Sequence, residues 1–195
     1  MINPFTALAV AASTLVLGGC DPLEPRSFAD IDAAATALRS KYVDLDGNPP
    51  VPGNVAQESD FPPSGAASYQ GFISADDMAG NRLVGELTLD VSFLTDNVDG
   101  TAYNFQHETD GTYTGTLTGS ADLARDQDPM GTGVHLDLLL LGILTNNGTG
   151  YATSAALNGN FQETFTDPIG AIAGAADIDT GINGTTYDGT FAAER

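Results

Sequence analysis

Side-chain chemistry needs groups that converge, and this 195-residue chain offers few kinds of them. There are two histidines, His107 and His135, on separate strand-like runs. By parity His107 follows Tyr103 and Phe105 on an inward face, while His135 points outward, so the two are not expected to meet. The sequence holds no Gly-x-Ser-x-Gly turn, no His-Glu-x-x-His pair, no phosphate loop and no Gly-x-Gly-x-x-Gly segment. Nothing is therefore in place to raise a nucleophile, grip zinc or cradle a phosphate. Carboxylates recur close together, as at Asp76 and Asp77 or Asp177 and Asp179. With 26 acidic against 6 basic residues, they read as solvated faces and turns. Asp44, Asp46 and Asn48 alternate like the opening of a calcium loop, but the position that needs a bidentate Glu is Val55. The expectation is a protein that is not an enzyme and holds no metal or cofactor.

The residue with a definite chemical prospect is the single cysteine, Cys20. Residues 1–19 carry no charged side chain, and 7–17 form an apolar run broken only by Ser13 and Thr14. A bilayer span needs about 20 apolar residues, so this run is an export signal by length. It ends in Leu17-Gly18-Gly19-Cys20, which resembles a bacterial lipobox. That resemblance implies a Cys20 thiol joined to diacylglycerol, cleavage before Cys20, and acylation of the new amino terminus. A thiol is the nucleophile such a transfer requires, and glycines before it let a peptidase approach. Several acyl chains hold a protein where one does not. The expected location is the cell outer membrane, with the membrane engaged through Cys20 and the leaflet left open. One cysteine also removes disulfide frameworks and thiolate metal sites. A formal charge of -20 repels phosphate backbones, which excludes a nucleic-acid partner.

Residues 27–42 read as a helix. Ser27 stands as N-cap with Asp30 three positions on, and Phe28, Ile31, Ala35, Leu38 and Tyr42 form one apolar stripe. Residues 44–64, with five prolines, read as a stiff extended linker, so that 20–65 form a lipid-anchored stalk. From residue 66 to the end the period is two. The clearest run sets Leu83, Gly85, Leu87, Leu89, Val91 and Phe93 against Val84, Glu86, Thr88, Asp90 and Ser92. Similar runs start at Tyr113 and Tyr151, and the total is eight strands. The predicted class is all-β, an eight-stranded antiparallel up-and-down barrel, soluble because its outward rows are Thr, Asp and Ser. Tyr69-x-Gly71, Tyr113-x-Gly115 and Tyr187-x-Gly189 supply the large and absent side chains that a narrow bore needs. One strand departs from the pattern: Leu139, Leu141 and Ile143 fall on its outward side. Three large apolar side chains there call for a cover, and the stripe of the 27–42 helix is the nearest candidate; a docking partner is the other.

Four stretches taken in order resemble the barrel of bacterial surface lipoproteins related to transferrin-binding protein B. They are Leu83-Val84-Gly85-Glu86-Leu87-Thr88-Leu89-Asp90-Val91-Ser92-Phe93, Gly111-Thr112-Tyr113-Thr114-Gly115, Leu157-Asn158-Gly159-Asn160-Phe161, and the closing run 184–195. The resemblance implies a lipocalin-like barrel shape and a binding role at the cell surface, in iron or haem acquisition or in contact with a host or environment. Full members carry two lobes with handle domains, whereas one barrel and about 45 residues before it are present here. No binding residue is carried over. Three functions stay open from the residues: a monomeric barrel that binds another protein, a carrier of a small apolar ligand in its lumen, and a structural envelope protein.

Overall fold

The structure is a computed structural model and describes residues 26–43, 55–124 and 134–195. Cys20 and the Asp44, Asp46, Asn48 triplet lie outside the described residues. The alternating runs form β1 (Ala66–Asp77), β2 (Arg82–Ser92), β3 (Asn97–His107), β4 (Gly111–Tyr113), β5 (Leu117–Asp122), β6 (His135–Asn146), β7 (Thr149–Gln162), β8 (Ala171–Thr180) and β9 (Thr186–Glu194). Apart from β4 and β5, each pairs antiparallel with its neighbours in sequence, and β9 returns to pair with β1, setting Phe191 opposite Ile73. Both β4 and β5 pair with β3 and are halves of one stave. The break falls at Gly115, whose φ of +130° and missing side chain admit the Ile143 carbonyl. The result is the predicted closed barrel of eight staves with no open sheet edge.

Inward parity holds on most staves. Leu83, Leu87, Leu89 and Val91 of β2, Leu136, Leu138, Leu140 and Leu144 of β6, and Ala155, Leu157 and Phe161 of β7 meet in one contiguous cluster. The exception is β3, where Asn104 takes a φ of +51° and the β2–β3 register shifts between Val84 and Glu86. A bulged residue reverses the alternation beyond it. Phe105 and His107 stay inside, but Tyr103 turns outward at 39 % exposed, correcting its expected place in the bore.

Glycine serves the interior by admitting a ring from a neighbouring stave. A side chain at Gly85 would start 2.8 Å from the Phe105 ring, and one at Gly159 would start 2.9 Å from that of Phe191. Leu136, Gly159, Gly174, Phe191, Ile73 and Gly85 lie side by side across the wall, so bulk is placed only where a gap faces it.

At the end where β1 begins, Phe61 enters the bore edge-on, with ring centroids 4.9 Å from Phe161 and 6.1 Å from Phe93. The Ala56 N–H donates to the Phe161 carbonyl, and Val55 bridges to Gln162. The later part of the proline-rich stretch is thus a plug seated on the barrel, in place of the extended linker expected there.

The helix α1 (Phe28–Tyr42) starts as predicted, with Ser27 Oγ accepting from the Asp30 N–H and donating to the Asp30 carboxylate. Its docking site is not the one expected. Leu38, Tyr42 and Val43 pack on Phe72 of β1, Ala171 and Ala173 of β8 and Ala192 of β9. Three ion pairs fix it along the wall: Arg26 to Glu86, Asp32 to Arg82, and Lys41 to Glu194. Partly exposed pairs of this kind add little stability, so their role is to set position. The physical reason for the site is shape. Outward alanines on β8 and β9 make a low shelf that a helix can approach closely, whereas β6 presents a ridge of branched side chains.

Candidate interaction surface

Along β6 the sequence His-Leu-Asp-Leu-Leu-Leu-Leu-Gly-Ile-Leu places leucines on both faces of one strand. The inner ones are buried; Leu139, Leu141 and Ile143 remain 51 %, 55 % and 62 % exposed. Their lateral neighbours on β7 are small: Ala156 stands opposite Leu139, Ser154 opposite Leu141 and Ala152 opposite Ile143. On the other side Thr118 of β5 faces Leu141. The three side chains therefore form a ridge above its surroundings. Beside it is an open depression lined by Leu141, Ala152, Ser154, Asp179 and Gly181. Beyond β7 the wall turns acidic, with Asp177 opposite Ala156, Asp179 opposite Ser154, and Asp188 between Asp177 and Asp76. Asp177 and Asp179 thus border the ridge across β7, while the row runs on to Asp76, which is paired with Arg82 on the wall under α1.

The two histidines sit at opposite ends of the barrel and do not meet, as expected. His135 is partly exposed near the plugged end, with Nδ1 3.1 Å from Asn160 Oδ1. His107 is buried at the other end. Its Nδ1 accepts from the backbone N–H groups of Thr109 and Asp110, so the ring proton belongs on Nε2, which lies 3.2 Å from Tyr187 Oη. Tyr113 closes the group, its hydroxyl donating to Asp110. Both ring nitrogens are engaged, Nδ1 by the β3–β4 turn and Nε2 by β9, which makes this a structural clasp. Among the described residues, no three His, Cys, Asp or Glu side chains gather to hold a metal ion.

Three tyrosines have hydroxyls held well above the usual phenol range. Burial is the main cause for Tyr69, Tyr42 and Tyr113; a hydrogen bond to Glu194 adds to it at Tyr42, and the Asp110 charge at Tyr113. The unfolded chain would lose these protons from about pH 10, before the folded one does. Stability linked to them is then complete below about pH 10 and falls as pH rises toward the folded values. We expect alkaline unfolding above about pH 10 in which tyrosinate absorbance and loss of β-sheet ellipticity rise together. Ionisation of Tyr69 that runs ahead of unfolding, read as the difference from a Tyr69→Phe chain, would contradict the burial argument.

Sequence reasoning found the ridge but missed the shelf. Its signal was available in Ala171-Ile172-Ala173-Gly174-Ala175-Ala176, where outward positions are small and apolar instead of Thr or Asp. By sequence the chain matches no protein-family model and no curated protein. The class that the geometry defines is a small closed barrel with a side-chain core, a helix strapped to one wall, and, among the described residues, an apolar ridge exposed on another.

Proposed function

We propose that this chain is a lipid-anchored envelope protein whose barrel binds another protein, and that the ridge of Leu139, Leu141 and Ile143 is the contact. The observation that carries this reading is the exposure of the ridge among the described residues, with α1 docked elsewhere. Large apolar side chains grouped on a soluble wall, bordered by charge, are the usual anatomy of a binding patch. The contiguous cluster of inner side chains supports a working surface on the wall over a ligand in the lumen. Attachment through Cys20 and a place at the outer membrane belong to the same proposal and rest on the lipobox resemblance. So does the role in acquiring a nutrient, or in contact with a host or environment, that the barrel resemblance implies.

The test is a photo-crosslinking residue at Leu141 or, as control, at outward-facing Asp90 of β2, in the native cells. A discrete adduct is expected from position 141 and not from 90, its partner identified by mass spectrometry. A Leu141→Ser variant is then expected to bind that purified partner at least about tenfold more weakly with its circular dichroism unchanged, since burying a leucine contributes about 1.5–3 kcal/mol. Identical adduct patterns from the two positions would remove the ridge from the proposal.

A further inference from the structure

We infer that the wall covered by α1 is the side that meets the membrane, so that the β6 ridge points directly away from it. The inference rests on the Cys20 anchor proposed above. Counting staves in either direction, β1 and β6 are four apart, on opposite sides of the barrel. The helix lies over β1 with β9, β8 and β2 beside it. Ahead of α1, Arg26 is fixed to this same wall, its guanidinium 5.2 Å from the Phe72 ring centre and 3.2 Å from Glu86.

Only six Cα steps separate Cys20 from Arg26, so covalent geometry limits the anchor to about 20 Å from that point. Four strand spacings of about 4.8 Å already consume this length at backbone level, and a path outside the side chains is longer. The tether therefore cannot carry the anchor round to the ridge.

Four of the six Lys and Arg residues gather on this wall: Arg26, Arg39 and Lys41 on or beside α1, and Arg82, which pairs with it through Asp32. They offset acids of the same wall, Glu86, Glu194, Asp32, Asp76 and Asp188. Anionic headgroups within a Debye length of about 8–10 Å are therefore tolerated there. The outer face of α1 exposes Ala29, Ala33, Thr36, Ala37 and Ser40, small side chains that allow close approach without insertion.

The experiment uses the full lipidated chain in vesicles of phosphatidylcholine and phosphatidylglycerol carrying a headgroup quencher. A fluorophore is placed through Thr36→Cys on α1 or Thr118→Cys beside the ridge, both exposed positions. The probe at 36 is expected to lose most of its emission and the probe at 118 to keep it. Equal quenching, or stronger quenching at 118, on protein retained by the vesicles overturns the orientation while leaving the anchor standing. A Cys20→Ala chain is expected to be released from the vesicles. If it stays, or if the parent chain is never retained, the anchor proposal fails and takes the orientation with it.

Discussion

Gly159→Val is expected to leave little folded protein. A side chain there would begin 2.3 Å from the Ala173 carbonyl oxygen and 2.9 Å from the Phe191 ring, and Gly174 stands directly opposite on β8. Overpacking costs about 1–3 kcal/mol where a side chain can yield. Here the obstacle is the neighbouring backbone, so the β7–β8 ladder itself must open. We expect a loss of at least about 3 kcal/mol, a large fraction of the roughly 5–15 kcal/mol that holds a domain of this size. A urea unfolding midpoint equal to that of the parent chain would show that β7 and β8 do not approach as closely as described.

The second large effect is at the plugged end. Phe161 is fully buried, edge-on to Phe61 and, at 5.8 Å, to Tyr69. Phe161→Ala removes both contacts and leaves a void, for a cost of about 3–5 kcal/mol. Because Phe61 is held by this residue's ring, the variant is also expected to expose residues 55–65 to protease before the barrel is cut. Phe165→Ala in the adjoining loop is the contrast. That ring is fully exposed, and its removal should change stability by less than about 0.5 kcal/mol. Equal effects at the two positions would refute the plug.

What could be read from the sequence follows from how local each cause is. Alternation over Leu83 to Phe93 or Tyr151 to Phe161 is a property of consecutive residues, so the staves and their inner faces were legible, as was the Ser27 cap with Asp30. The outward turn of Tyr103 was not, because it depends on one extra residue at Asn104 inside an otherwise regular run. The position of α1 was misread for a different reason. Both β6 and the β8–β9 shelf offer apolar surface, and the choice between them depends on height and on ion pairs reaching from Asp32 to Arg82 and from Lys41 to Glu194. Such contacts join residues far apart in the chain. The exposed ridge was legible as a sequence anomaly, but its uncovered state depended on where the helix went.

Pairing of β1 with β9 has a consequence for how the molecule is made. The seam joins Gln70 to Glu194, nearly the whole length of the barrel apart in sequence, so it forms last and only after synthesis has passed residue 194. Until then the nascent sheet presents two unpaired margins, on β1 and β8, and shortening the chain by its final strand would leave both open to self-association.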